Sequence, residues 1–166
     1  MIAAVPSPPP VLFLDYDGVL HPSEVWLDRD GRAFLDQAFI DAGHALFEHA
    51  DALAQVLTGI RVDVVLATSW AREYGTDRAA AYLPPALRER VVGSVFGRGR
   101  IHAERSRYQV ISDCAQRWAI ERWLAVDDDT WGWPLREREH LVAANGLGLT
   151  AEDLAAISAR LRALGG

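Results

Sequence analysis

The sequence predicts an α/β fold, a three-layer α/β/α arrangement around a mainly parallel sheet. Three observations lead there. Short, predominantly apolar runs recur at 11–14, 62–67 (interrupted once, at Asp63) and within 120–126, as expected of strands covered on both faces. Helical patterns separate them, and strands that alternate with helices build parallel sheets. Each run stops at polar residues, namely Asp15 and Asp17, Thr68 and Ser69, and Asp127 to Asp129. Ligands of such sheets bind beyond the carboxyl ends of the strands.

Residues 1–10 carry four prolines and read as a flexible or extended leader, with a single domain over 11–166. Val11 to Leu14 is the first strand. Residues 18–44 are interrupted by Pro22, Gly31 and Gly43 and predict a turn with a short flap or hairpin. Leu46, Ala50, Leu53 and Leu57 fall at helical spacing, so 46–58 holds an amphipathic helix that starts as late as Ala50 and stops at Gly59. Val62 to Ala67 is the second strand. Residues 76–92 read as helical with a break at Pro84-Pro85, and 93–104, with three glycines, as loop. Val110, Ile111, Cys114, Ala115 and Trp118 share one face of a helix over 107–118. The third strand ends at Val126, Trp131 to Pro134 is loop, and Leu141 to Ala144 is a fourth strand candidate. Thr150-Ala-Glu-Asp153 opens the last helix with a capping-box pattern in which Asp replaces the usual Glu.

Composition narrows the function classes. Half the residues are apolar and 24% are charged, enough for a real core. A formal net charge of −6 argues against a broad basic surface for duplex nucleic acid. The one cysteine, Cys114, cannot form an internal disulfide and lies in an apolar helical pattern, which fits a reducing compartment. No signal-peptide pattern and no apolar run of membrane-spanning length is present, so the expected location is cytoplasmic, with no membrane partner.

Asp15-Tyr16-Asp17-Gly18 directly follows an apolar strand, and Gly18 permits a turn that other residues resist. Two carboxylates aimed at one small volume repel each other unless a cation neutralises them. A hard divalent ion with oxygen ligands, Mg²⁺ above all, meets that need. The calcium-loop spacing is absent, because Gly18 follows the second Asp at once. Asp127-Asp128-Asp129 also ends a strand, over a hundred residues later. Two acidic strand ends in one sheet point to one metal site.

In these motifs the chain resembles the haloacid dehalogenase (HAD) superfamily of phosphatases. Asp15, Asp17 and Gly18 match its first motif, and Thr68, with Ser69 as fallback, its second. Arg107 in RYQVI matches its third, with Arg105 as runner-up, and Asp127-Asp128 its fourth. The phrases LFLDYDGVL, VVLATSW and AVDDD are similar to those of the small HAD-like domains associated with Swiss-army-knife RNA-repair proteins. The resemblance implies a Mg²⁺-dependent phosphomonoesterase. Asp15 would form an aspartyl-phosphate, and Asp17 would serve as general acid and then base. Mg²⁺ would lie between Asp15, the Asp17 main-chain carbonyl and Asp128, with Asp127 orienting a bound water. Thr68 and Arg107 would stabilise the phosphoryl oxygens. The third motif departs from the family in carrying Arg for Lys, and the two are not interchangeable.

Weaker candidates surround this set. His21 reads by default as a flap histidine without a catalytic role. Arg72 reads equally as a phosphate contact or a surface ion pair. Trp131 and Trp133 could stack on a ring, whereas Trp118 and Trp123 are assigned to the core. Arg98, Arg100, Arg105 and Arg107 form a basic stretch with one functional Arg. About forty residues separate Gly18 from Val62, room for a flap and a helix but no lid domain. The implied site is open, and the expected partner is a phosphorylated small molecule or nucleic-acid end. The alternatives are a non-catalytic phosphate-binding module and a phosphotransferase.

Overall fold

The structure, a computed structural model, describes residues 7–96 and 105–165. Along the chain, β1 (Val11–Leu14) leads to a hairpin of β2 (Val25–Leu27) and β3 (Ala33–Leu35), then α1 (Gln37–Asp41) and α2 (Ala50–Val56). Next come β4 (Asp63–Leu66), the short helices α3 (Ser69–Tyr74), α4 (Thr76–Ala80) and α5 (Pro85–Arg88), and β5 (Val91–Ser94). The remainder is α6 (Arg107–Arg117), β6 (Trp123–Asp127), a 3-10 turn (Leu135–His140), β7 (Leu141–Ala143) and α7 (Ala151–Gly165). Five strands form one parallel sheet in the order β5-β4-β1-β6-β7. Leu14 pairs with Leu66 on one side and Val126 on the other. That register brings the three polar strand ends together at one rim.

Side chains alternate across a strand, so each strand feeds two cores. Leu12, Leu14, Val64, Leu66, Leu124 and Val126 face one way and pack with Leu53 and Leu57 near α2 and with Ile157 and Leu161 of α7. Val11, Phe13, Val65, Trp123 and Ala125 face the other way, against Ile111, Cys114 and Ala115 of α6. This is why the strands read as continuous apolar runs. Each fully buried Leu or Phe contributes roughly 1.5–3 kcal/mol. The last helix opens as its pattern predicts: the Thr150 N–H donates to Asp153 at 2.9 Å, and the Asp153 N–H to the Thr150 hydroxyl at 3.1 Å. No helix among the described residues is long and apolar enough to cross a membrane.

Two expectations about the fold need correction. Residues 91–94, read as helix end and loop, form the edge strand β5. Its four residues include Gly93 and alternate little in burial, so the pattern is too short to register as a strand. Gly93 serves packing: a Cβ there would lie 2.8 Å from the Trp118 ring. Trp118 itself is 46% exposed. It is the C-cap of α6, and the outer edge of its ring reaches Gly93 of the edge strand while much of the side chain stays exposed. Residues 7–10 are extended but tied down. Arg61 and Arg122 donate to the Ser7 and Pro8 carbonyls, and the Pro10 carbonyl accepts from the Asp63 N–H at 3.0 Å. The rest of the predicted leader, and Arg98 and Arg100, lie outside the described residues.

Candidate active site

β1 delivers Asp15 to the rim. Its main-chain N–H continues the ladder to the Val126 carbonyl at 3.1 Å, its carboxylate accepts from the Tyr16 N–H at 2.8 Å, and it is 4% exposed. The chain then turns on Gly18, at φ +77°, whose N–H donates to the His21 carbonyl at 2.8 Å. A Cβ on Gly18 would sit 2.1 Å from Asp128 Oδ2. The glycine therefore serves the site twice, by its left-handed backbone and by letting Asp128 come close.

β6 delivers the second acidic group. Asp127 is fully buried and accepts the Asp129 N–H on Oδ1 at 2.9 Å. Carboxylate oxygens of Asp15, Asp127 and Asp128 all lie within 4.8 Å of one another. The cation comes from α6. Ser106 and Gln109 form a reciprocal capping box, with contacts of 3.2 and 3.0 Å, that sets Arg107 as the first helical residue. Arg107 Nη1 donates to the Ala67 carbonyl, Nη2 is 3.6 Å from Asp15 Oδ2, and Nε is 3.0 Å from Asp127 Oδ2. Nε and Asp127 Oδ2 nevertheless both lack a hydrogen bond. The N–H is not aligned with the oxygen, so this contact is coulombic and the buried oxygen keeps its lone pairs free.

The electrostatics follow from burial. Asp15 is held well above the usual carboxylate range, first by burial and then by the charge of Asp127, with Arg107 opposing. Burial pushes Asp127 up to about 6 against the pull of Arg107, and burial also raises Asp128. Burial alone would lower Arg107; the charges of Asp15 and Asp127 more than offset it, and its guanidinium stays protonated. One guanidinium facing three crowded carboxylates leaves an excess of buried negative charge. A hard divalent cation fits this all-oxygen set and the unpartnered Asp127 oxygen.

The other predicted residues divide between two places. Thr68 is fully buried at the end of β4 and caps α3, its hydroxyl oxygen accepting the Trp70 N–H at 3.3 Å. The Asp17 carboxylate is not among the three clustered acids. Its Oδ1 accepts from Trp70 Nε1 at 2.8 Å and lies 3.0 Å from His21 Nε2, while Oδ2 is 3.4 Å from the Ser69 hydroxyl. His21 is fully buried, which corrects its reading as a flap residue. Arg105 turns away to pair with Asp113, and Arg72 pairs with Glu73 at 3.0 Å on the surface. Trp131 is 66% exposed, whereas Trp133 packs against Tyr108 and Trp123. Sequence reasoning missed the grip of His21 and Trp70 on Asp17. Its only signals were a histidine four residues past Asp17 and a tryptophan just past Thr68-Ser69.

The family described as the HAD domain in Swiss Army Knife RNA repair proteins matches residues 11–154, well over half of the chain. No curated protein matches the chain. The family match begins at the first residue of β1 and ends inside α7, so it takes in Asp15, Asp17, Thr68, Arg107, Asp127 and Asp128. The chain belongs to this family of HAD domains.

Proposed function

We propose that the chain is a Mg²⁺-dependent phosphomonoesterase that works through an aspartyl-phosphate on Asp15. One observation carries the proposal: carboxylate oxygens of the buried Asp15 and Asp127 and the half-buried Asp128 within 4.8 Å of one another, with Arg107 beside Asp15. An anionic nucleophile must meet an anionic phosphate, and only concentrated positive charge makes that approach affordable. Asp15 and Asp128 would hold the ion with the Asp17 main chain, and Asp127 would support it. When bound, the ion screens nucleophile and phosphate from each other and polarises the phosphoryl group.

The chain's own groups do the rest. Asp15 attacks phosphorus, and burial in a dry rim keeps water from competing. Arg107 is anchored on the Ala67 carbonyl, which aims its remaining N–H groups at the equatorial oxygens. Thr68 accepts the Trp70 N–H on its oxygen, so its own O–H is free to donate to phosphate. Asp17 protonates the leaving oxygen and later takes a proton from the attacking water. Between Gly18 and β4 stand only a hairpin and two short helices, which leaves room for a large leaving group. The family's description names RNA repair, so phosphorylated nucleic-acid ends are the first substrates to test.

The test is phosphate release with Mg²⁺ from 3′- and 5′-phosphorylated oligonucleotides, nucleotides and sugar phosphates. Turnover should vanish in chelator and in Asp15→Asn. An Asp15→Asn variant with near-normal turnover would sink the covalent mechanism.

A further inference from the structure

We infer that His21 and Trp70 are positioning residues that clamp Oδ1 of Asp17 and leave Oδ2 as the oxygen that carries the proton. The inference rests on the phosphatase reading above. Two buried donors converge on a single oxygen: Trp70 Nε1–H at 2.8 Å and His21 Nε2 at 3.0 Å. Trp70 is 4% exposed and His21 is fully buried.

The tautomer of His21 is fixed by its other nitrogen. Nδ1 accepts the Phe47 main-chain N–H at 3.1 Å, so the ring hydrogen must sit on Nε2 and point at Asp17. Phe47 holds that N–H in place from a left-handed conformation, φ 59°, which a non-glycine residue adopts only at a cost. The Phe47 and Trp70 rings pack on the imidazole at centroid distances of 4.8 and 5.7 Å, and Tyr16 packs on Phe47 and Trp70. The imidazole cannot swing away without breaking this cluster.

Chemistry follows from which oxygen is engaged. A proton on Oδ1 would point at two N–H groups, so the acid form carries it on Oδ2. There, among the described residues, its hydrogen-bond partner is the Ser69 hydroxyl at 3.4 Å, which can rotate to accept or donate. In the first half-reaction an Asp15 oxygen bonds to phosphorus, the bond from phosphorus to the leaving oxygen breaks, and the Oδ2 proton passes to that oxygen. In the second, Oδ2 takes a proton from water while the water oxygen bonds to phosphorus and the Asp15–phosphorus bond breaks. Asp17 ends protonated, as it began, and the sum is ester plus water to alcohol plus phosphate.

A clamp on the proton donor matters most when the leaving group needs a proton. The test measures kcat/KM with Mg²⁺ over aryl phosphates graded by the acidity of the leaving phenol, from p-nitrophenyl to p-methoxyphenyl phosphate. Trp70→Phe keeps the ring and removes only its N–H. His21→Phe removes the second donor, and His21→Gln restores an N–H. Trp70→Phe and His21→Phe should each lose at least tenfold more on the least acidic phenol than on p-nitrophenol, since general acid catalysis supplies 10²–10⁴-fold. His21→Gln should recover part of that difference. Equal losses across the series would overturn the clamp and leave a structural role.

A second readout keeps the proposal testable if a variant misfolds. Nitrogen NMR of the intact wild type should show His21 protonated at Nε2 and bare at Nδ1, and the opposite tautomer overturns the inference. A wild type inert on every ester would remove the phosphatase reading, and the tautomer would then decide the clamp alone.

Discussion

Arg107→Ala separates the role of Arg107 as a structural counter-ion from its role toward phosphate. In the metal-free protein this guanidinium stands 3.6 Å from Asp15 and 3.0 Å from Asp127, both almost wholly buried. Removing one partner of a buried ion pair costs roughly 3–5 kcal/mol. The carboxylates can escape part of that by taking up protons. At about 1.36 kcal/mol per pH unit, neutralising one carboxylate of ordinary pKa costs roughly 5 kcal/mol at pH 7.5 but only about 1.6 at pH 5. At pH 5 Asp127, raised to about 6, is already mostly protonated with Arg107 in place. Unfolding by urea in chelator should therefore show a loss of about 3–5 kcal/mol at pH 7.5 and less than about 2 at pH 5. Activity at pH 7.5 with Mg²⁺ should fall at least tenfold in kcat/KM, from a lost charge-assisted contact of about 1.5–3 kcal/mol. Arg107→Lys should recover part of both losses, and Arg105→Ala should cause neither. Equal destabilisation at the two pH values, or a crippled Arg105→Ala, would refute the reasoning.

Further outcomes can be checked independently. Calorimetric Mg²⁺ titration should show weaker binding in Asp128→Ala than in Asp127→Ala, because Asp128 is the proposed direct ligand and Asp127 the supporting group; an equal or reversed ranking counts against the ligand assignment. Gly18→Ala should lower stability by roughly 1–3 kcal/mol and weaken Mg²⁺ binding, because φ +77° resists a side chain and the new Cβ would displace Asp128 Oδ2. Wild-type Mg²⁺ affinity in that variant would contradict the close approach. Asp127 has a folded pKa above its unfolded value, so its favourable contribution is complete below about 3.8 and is lost as pH rises through about 6. In chelator, Asp127→Asn should therefore gain on the wild type by on the order of 1–3 kcal/mol between pH 4 and pH 7.5. A difference that stays flat or moves the other way in urea unfolding would disprove the raised pKa.

The strands and the acidic rim were legible in the sequence because they are local. A strand buried on both faces must be apolar throughout, so VLFL and the run ending at Val126 announced themselves, and the polar residues that stop them marked the rim. Gly18 was legible as a turn, and the apolar face of Val110, Ile111, Cys114 and Ala115 placed the start of the helix that carries Arg107, whereas the Ser106–Gln109 capping box that fixes that start went unread. The edge strand β5 was not legible, since four half-covered residues around a glycine leave no period to read. Nor was the exposure of Trp118, which depends on where α6 meets the sheet edge.

What the sequence determined by itself was the α/β class, the order of the four motifs and the acidic chemistry they imply. What tertiary structure alone decided is which groups touch. Arg105 and Arg107 are two residues apart with identical side chains; only the start of α6 against Ala67 sends Arg107 to the carboxylates and leaves Arg105 on Asp113. His21 and Trp70 are 49 positions apart, and they reach one oxygen of Asp17 because β1 and β4 lie side by side in parallel register. Contacts of that kind arise from strand pairing between distant segments, and neither local propensity nor hydrophobic periodicity encodes them.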